Sequence, residues 1–160
     1  MCSSDLTPVV ADGTVYWPES SLGSAAGTIL DAESGGVEGT FTASAIPAFT
    51  QSTGFFLNNG TLQGQARSNN QVLWSFAGDG QLSSAPIAVN NYVFIGSAGG
   101  NLYALDAATG AQVWTQTLGG AVSAGSNSYN SVYTGLSAGD GLLIVPNGTK
   151  VTAYTLSSSP

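Results

Sequence analysis

The chain has 160 residues, enough for one domain with its own core. Its 42% hydrophobic residues, 7% charged residues and 22 glycines favour short strands with tight turns and exclude a disordered chain. Only Arg67 and Lys150 are basic against nine acidic residues, and the net charge of −7 argues against nucleic acid or an anionic membrane surface as a partner. The absence of histidine excludes His-dependent hydrolysis and removes the commonest transition-metal ligand.

The first residues, 1–6 (MCSSDL), are predicted to be a non-native leader, because their codons would match the end of a common sequencing adapter. On this interpretation the native chain begins upstream of Thr7 and a signal peptide is not observable. The alternative is a genuine short N-terminus. Cys2 is the single cysteine and permits no internal disulfide. The longest apolar run, residues 142–145, is far too short to span a bilayer, so no membrane-spanning segment is predicted.

An internal repeat organises the rest of the chain. Pro8, Pro47 and Pro86 follow one another in a constant step of 39 residues (8 to 47 and 47 to 86), and each opens a strand-turn-strand pattern with period-two alternation. No helix is predicted anywhere. A period near 40 with four short strands per unit is typical of β-propeller blades, so we expect an all-β propeller. The expected arrangement is an incomplete ring of about three complete four-stranded blades and a partial fourth, with blades at about 7–43, 44–82, 83–120 and 132–156 and a C-terminal tail at 157–160.

The first two copies of the repeat are irregular in opposite ways. In the first copy, Asp31 and Gly35 retain a turn between the third and fourth strands, but Gly39 stands where the best copy has a tryptophan. The second copy keeps that tryptophan as Trp74 and has lost the turn residues, with Ala66, Asn69 and Asn70 at the Asp, Thr and Gly positions.

The third copy contains the best-preserved unit, GGNLYALDAATGAQVWTQTL at residues 99–118. Its alternating apolar residues predict two strands, and between them Asp106 can accept local hydrogen bonds while Gly110 tolerates the positive φ of a tight turn. The key residues of this unit are Ala104, Asp106, Thr109, Gly110 and Trp114.

The fourth copy repeats two hairpins, the second at Asn147-Gly148, and then the chain stops before any turn-and-tryptophan element. About ten extra residues separate this copy from the third, and they are assigned to a polar loop at 119–131.

The spacing A-x-D-x-x-T-G-x-x-x-W of the third copy resembles the tryptophan-docking motif of propellers related to the pyrroloquinoline quinone (PQQ) enzymes. The match is complete at its five positions, and the weaker copies extend the resemblance over about residues 7–156. The resemblance implies that Ala104, Asp106, Thr109, Gly110 and Trp114, with Trp74, Asp31 and Gly35 of the other copies, are structural residues that lock one blade against the next. It also implies a larger closed ring, of which these copies would form the C-terminal half.

Some members of this family are dehydrogenases that hold PQQ and calcium in the central funnel, with a catalytic aspartate and carboxylate ligands. None of those motifs can be matched here by position, so no catalytic, cofactor-binding or metal-binding residue is predicted. Asp106 and Asp31 are candidates for catalysis by residue type alone, and their place in the turn favours a structural role.

The interpretation favoured by the sequence is a non-catalytic, bacterial and extracytoplasmic PQQ-like propeller that binds an unidentified protein or small ligand through its faces and loops, without a cofactor. One alternative is a C-terminal fragment of a quinoprotein alcohol or sugar dehydrogenase, whose PQQ, calcium and active-site residues would lie mostly in missing blades. A second alternative is a structural segment of a large cell-surface protein.

Overall fold

The structure, a computed structural model, describes residues 8–18, 26–122 and 135–155. All regular secondary structure in these residues is β-strand, arranged in four antiparallel sheets. The proposed leader at 1–6, the tail at 157–160 and most of the predicted loop at 119–131 lie outside the described residues.

The first two sheets each contain four strands in sequence order. The first sheet consists of β1 (Val9–Ala11), β2 (Thr14–Pro18), β3 (Ala26–Asp31) and β4 (Val37–Thr42). The second sheet consists of β5 (Ala48–Phe49), β6 (Thr53–Asn58), β7 (Thr61–Ala66) and β8 (Val72–Phe76).

The third sheet has the same four-stranded order, and the fourth has three strands. The third sheet consists of β9 (Ile87–Val89), β10 (Tyr92–Gly96), β11 (Asn101–Asp106) and β12 (Gln112–Thr117). The fourth consists of β13 (Ser137–Gly139), β14 (Leu142–Asn147) and β15 (Lys150–Thr155). Three four-stranded sheets and a partial fourth in an open ring confirm the predicted incomplete propeller.

The sheets stack face to face, so middle strands of the second and third sheets, such as β6 and β10, are buried on both sides, whereas those of the first sheet are mostly half-buried. Successive residues of β10 contact opposite neighbours: Val93 and Ile95 join the core shared with the second sheet, and Phe94 joins the core shared with the fourth. This geometry explains why β10 and β11 are buried almost throughout, whereas β12 at the outer edge is exposed along its whole length. The first strands of neighbouring sheets, β5, β9 and β13, contact one another and form the inner side of the ring.

Two-residue hairpins connect the first and second strands of the first, third and fourth sheets. Asp12 and Gly13 have φ angles of 46° and 79°, and Asp140 and Gly141 have 51° and 74°. Aspartate, asparagine and glycine are the residues that best accept these left-handed conformations, which fit the twist of paired strands. The Asp-Gly pairs therefore fix the pairing of β1 with β2 and of β13 with β14.

The hairpin of the fourth sheet is displaced by one residue from the predicted Asn147-Gly148. Asn147 is the last residue of β14 and pairs with Lys150, which leaves Gly148 and Thr149 in the turn. The Asn147 side chain is buried, donates from Nδ2 to the Leu118 carbonyl (3.2 Å) and accepts at Oδ1 from the Thr152 hydroxyl (3.2 Å). A tertiary hydrogen bond to the chain leaving the third sheet therefore holds Asn147 in the strand.

Candidate functional site

The turn between β11 and β12 is built around the carboxylate of Asp106. Its Oδ1 accepts hydrogen bonds from the Thr109 N–H (2.8 Å), the Thr109 hydroxyl (2.8 Å) and the Ala108 N–H (3.1 Å). The N–H of Gly110, at a φ of 72°, donates to the Asp106 carbonyl over 2.9 Å. The residue types Asp, Thr and Gly thus close this turn, residues 106–110, through contacts within five positions.

The corresponding turn of the first sheet, residues 31–35, has the same construction. The Asp31 carboxylate accepts from the Ser34 N–H (2.7 Å) and from the Ser34 hydroxyl (2.6 Å). Gly35, at a φ of 71°, donates to the Asp31 carbonyl over 2.9 Å. Serine therefore replaces threonine as the donor to the aspartate carboxylate, through both its N–H and its hydroxyl.

The second sheet forms the same turn, residues 66–70, without a carboxylate. The Asn70 N–H donates to the Ala66 carbonyl (2.8 Å), and Asn70 adopts a φ of 58° where the other copies have glycine. The Asn69 side-chain oxygen accepts from the Gln71 N–H over 3.0 Å. Asparagine tolerates the left-handed region better than other non-glycine residues, and this tolerance preserves the backbone shape in the copy whose turn residues have changed.

These hydrogen bonds perturb the turn carboxylates. The pKa of Asp106 lies below its ordinary value of 3.8 chiefly because the Thr109 hydroxyl donates to the charged form. The Ser34 hydroxyl lowers the pKa of Asp31 in the same way. For Asp79, burial acts to raise the pKa, but hydrogen bonds from Ser97 and Asn101 outweigh it and the net pKa is lowered. All three carboxylates are therefore held in the charged form by protein hydrogen-bond donors.

Trp74 of the second sheet lies against the turn of the third sheet. Its indole Nε1 donates to the Ala107 carbonyl over 3.2 Å, and the ring covers Gly110 so closely that an added Cβ would fall 2.5 Å from it. Gly110 is thus required twice, for its positive φ and for the approach of the ring. Trp74 also stacks near Phe55, with ring centroids 5.8 Å apart. The structure therefore brings together Trp74 and Gly110, two residues singled out from the sequence.

Trp114 occupies the same position in the third sheet and contacts the fourth. It is 37% exposed, and its ring meets that of Tyr154 edge to face at a centroid distance of 5.5 Å. Trp114 pairs with Ala104 across β11 and β12, as Trp74 pairs with Gly64 in the second sheet. A Cβ on Gly64 would lie 2.2 Å from the indole, so the partner position must be small where the ring lies over it.

In the first sheet the large and small residues of this pair are exchanged. Gly39 stands at the tryptophan position and pairs with Ile29. The first sheet therefore presents no indole at this position, and the turn of the second sheet that contacts it through Arg67, residues 66–70, is the one without Asp and Gly. Both halves of the tryptophan contact are absent from the same interface.

Arg67 stabilises that interface instead. Its guanidinium forms an ion pair with Asp12 and donates to the carbonyls of Ala11 (3.0 Å) and Gln51 (3.3 Å). The guanidinium carbon lies 5.5 Å from the centroid of the Phe49 ring, within range of a cation–π contact. The sequence pattern did not indicate this role, because a single arginine in a repeat carries no spacing signal. That Arg67 is one of two basic residues in the chain was the available hint.

The inner side of the ring does not fit the PQQ and calcium set implied by the family resemblance. A cavity of about 470 Å³ lies between β9 and β13, lined by apolar residues such as Ile87 and Val89 and by one carboxylate, Asp140. Asp106 and Asp31 lie in the turns at the outer strands and accept hydrogen bonds there. Within residues 8–18, 26–122 and 135–155, no cluster of three or more potential ligands from His, Cys, Asp and Glu could hold a metal. The described residues on the inner side of the ring therefore do not supply the carboxylate set for that cofactor.

A second cavity, of about 330 Å³, separates the first sheet from the second. Aromatic side chains of both sheets line it, including Tyr16 and Phe56, together with the amides of Gln63 and Gln65. We refer to this cavity as the interblade cleft.

Solved structures with the same fold are propellers or their designed counterparts. BamB from Moraxella catarrhalis aligns with a TM-score of 0.68 at 18% identity, covering 95% of this chain and 58% of that one. The computationally designed Ika4 protein aligns with a TM-score of 0.69 at 17% identity, covering 94% of this chain and 89% of its own. The quinohemoprotein alcohol dehydrogenase from Comamonas testosteroni aligns with a TM-score of 0.56 at 22% identity, over 69% of this chain and 20% of the enzyme. At these identities the alignments establish the fold.

Among curated proteins, the tetrathionate hydrolase of Acidithiobacillus ferrooxidans is 43% identical over 54 residues. That match covers 34% of this chain and 11% of the hydrolase. The chain thus spans about 58% of the length of the BamB structure and a small part of the hydrolase.

The sequence model of the PQQ-like repeat family described as outer membrane protein assembly factor BamB matches residues 10–159, almost the entire chain. This match agrees with the four stacked sheets and confirms the resemblance that the third copy indicated. The chain belongs to the PQQ-like β-propeller family.

Proposed function

We propose that this protein is a non-catalytic propeller that acts outside the cytoplasm as a platform for binding another protein. The observation that carries the proposal is that its carboxylates are occupied by hydrogen bonds and an ion pair within the protein. Asp31, Asp79 and Asp106 each accept two or more hydrogen bonds from neighbouring protein groups, and Asp12 is paired with Arg67. Side chains held in this way maintain turns and are poorly suited to proton transfer, since general acids and bases must exchange protons near the working pH.

The family assignment supports a binding role. The matching family model carries the description of an outer membrane protein assembly factor, and a BamB structure aligns over 95% of this chain. An assembly factor acts by contact with other proteins, and a propeller offers broad faces of loops for such contacts. No helix in the described segments is long and apolar enough to cross a membrane. The description of the matching family model as an outer membrane protein assembly factor supports placing the platform in an extracytoplasmic compartment.

The competing proposal is that the chain belongs to an enzyme. The 43% identity to tetrathionate hydrolase over 54 residues favours this second candidate, as a fragment of a larger catalytic propeller. A quinoprotein dehydrogenase with PQQ and calcium is a further form of it, with its active-site residues outside the described part.

One set of measurements separates these proposals. The purified protein is titrated with PQQ and calcium by calorimetry, and is assayed for quinone-linked dye reduction with alcohols and sugars and for tetrathionate hydrolysis. The platform proposal expects no saturable heat and no turnover in any assay. Turnover, or saturable binding of PQQ with calcium, would overturn it. Cell fractionation tests the compartment separately, with the protein expected in the periplasmic, surface or secreted fraction.

A further inference from the structure

The interblade cleft occupies the space that a tryptophan fills at the next interface. In the second sheet, Trp74 projects from β8 onto the third sheet. The equivalent position of the first sheet is Gly39 in β4, and a Cβ added there would meet nothing within 4 Å. The cleft of about 330 Å³ lies between the first two sheets, a size at the lower end of the range for small-ligand pockets.

The side chains of the cleft are polar where the next interface is apolar. The third sheet presents Tyr103 and Leu105 from β11 to the second sheet, and both are buried in the shared core. At the matching positions of β7 the second sheet presents Gln63 and Gln65, and both line the cleft. The Gln65 amide nitrogen donates to the Gln63 amide oxygen over 3.2 Å, which orients the pair and leaves N–H donors and acceptor lone pairs on both amides for another molecule.

Two further amides also line the cleft. Asn58 and Asn70 both line it, and in the described part of the chain neither side chain hydrogen-bonds to another protein group. The base is aromatic: Phe41 and Phe56 lie 5.9 Å apart between ring centroids, and Phe41 is only half-buried. Amides above aromatic rings match a ligand that has hydroxyl groups at its edges and an apolar face.

The charge of the cleft lining restricts the class of ligand further. None of the residues that line the cleft carries a charged side chain at neutral pH. Arg67, which belongs to the same turn as the lining residue Asn70, is paired with Asp12. A charged ligand would therefore lose hydration without gaining a partner of opposite charge, whereas a neutral polyhydroxylated ligand would not.

We propose that the interblade cleft between the first and second sheets binds a neutral saccharide of one or two rings. The sugar hydroxyls hydrogen-bond to Gln63, Gln65 and the two asparagines, and the apolar face of a ring packs on Phe41. The site is distinct from the faces of the ring and operates whether or not the protein acts as a platform for another protein.

The test is saturation-transfer difference NMR on the purified protein with maltose, cellobiose and N,N′-diacetylchitobiose, followed by titration to obtain Kd. Cellobionic acid serves as the charged counterpart of cellobiose. We expect saturable binding of at least one neutral sugar, transfer strongest at ring C–H protons, and weaker binding of the acid. Absence of saturable binding for all three neutral sugars overturns the proposal.

Variants localise the site. Gln63→Ala with Gln65→Ala removes the amide pair and should weaken binding about tenfold or more, since each hydrogen bond contributes roughly 1 kcal/mol. Gln112→Ala, on the exposed outer strand β12, is the matched control and should leave Kd unchanged. Binding that is insensitive to the double variant overturns the proposal.

A filled cleft gives a second test that keeps every amide. Ile29→Ala with Gly39→Trp recreates the small-large pair seen in the other sheets and places an indole in the cleft. This variant should retain the strand-rich circular dichroism spectrum and the thermal stability of the parent while sugar binding is lost. Unchanged sugar binding in the folded variant contradicts the proposal. Binding of a tryptophan-containing peptide in place of every sugar tested also contradicts it, since it would identify the cleft as a protein-docking site.

Discussion

The two sides of the second sheet show two ways of joining propeller blades. Towards the third sheet, Trp74 crosses the interface and lies on a turn closed by Asp106 and Gly110. Towards the first sheet, the tryptophan is replaced by Gly39 and the turn has lost its carboxylate. An arginine and a cluster of aromatic rings hold that side together.

The difference teaches that the contact is a unit with two parts on different sheets. A tryptophan without a glycine beneath it would clash, because the ring approaches the Cβ position of Gly110 to 2.5 Å. A glycine turn without the tryptophan would lose the packing of the indole ring against it. Where both the tryptophan and the glycine turn are replaced at one interface, there is neither a clash nor an uncovered turn. Arg67, in the altered turn, supplies a new contact to the first sheet.

The largest effect is expected from Trp74→Ala. The change removes the indole from the core between the second and third sheets and leaves the Ala107 carbonyl without its donor. We expect the free energy of unfolding to fall by about 3 kcal/mol, at the lower end for truncating a buried aromatic residue. Trp17→Ala is the control, because Trp17 is 40% exposed. Equal losses in the two variants, measured by chemical denaturation, would contradict the docking role of Trp74.

Arg67→Met tests the other interface. Methionine keeps much of the aliphatic stem but removes the donors to Asp12, Ala11 and Gln51. The loss should be about 2 kcal/mol, since hydrogen bonds from a charged group to partly buried acceptors are among the stronger ones.

Asp12→Asn is the companion variant for Arg67. The side chain of Asp12 is 73% exposed whereas that of Arg67 is 15% exposed. The ion pair itself should therefore contribute less than about 1 kcal/mol. If Asp12→Asn cost as much as Arg67→Met, the carbonyl contacts would not be the main contribution of Arg67.

Trp114→Ala should have a smaller effect than Trp74→Ala, although the sequence motif is more complete around Trp114. Trp114 is 37% exposed and contacts Tyr154 of a three-stranded sheet. We expect a loss of about 1 to 2 kcal/mol by the same denaturation measurement. A loss greater than that of Trp74→Ala would reverse this ranking of the two interfaces.

The smallest effect is expected for the contribution of Asp106 to the decrease in stability at acid pH. Hydrogen bonds from Thr109 lower the pKa of Asp106 below its ordinary 3.8, so the folded state favours the carboxylate. Its contribution is complete above the unfolded-state pKa and is lost as the pH falls through the folded-state pKa. Asp106→Asn should therefore flatten the decrease in Tm between about pH 5 and about pH 2. Gln71→Glu, beside the turn that lacks a carboxylate, is the control and should not flatten this decrease. If the decrease in Tm with falling pH were unchanged in Asp106→Asn, Asp106 would not contribute to the acid dependence of stability.

The architecture was accessible from the sequence because its signals are local. The constant 39-residue step of the prolines and the period-two alternation predict repeated sheets, and the family match over residues 10–159 agrees with them. Hydrogen bonds such as those from Thr109 to Asp106 join residues three positions apart, so a spacing motif can indicate them. The position of Asn147 was missed because its strand end depends on a contact with Leu118, 29 residues away.

By itself, the sequence determined the all-β class, the number of repeats and the residues that close the turns at 31–35 and 106–110, since these depend on alternation and on the few residue types that tolerate positive φ. Only the tertiary structure decided which sheet each side chain meets. It showed that Arg67, in the turn at residues 66–70, contacts the first sheet, and that a cleft lined by Gln63 and Gln65 lies between these two sheets. These facts depend on contacts between separate repeats, which the order of residues along one strand does not specify.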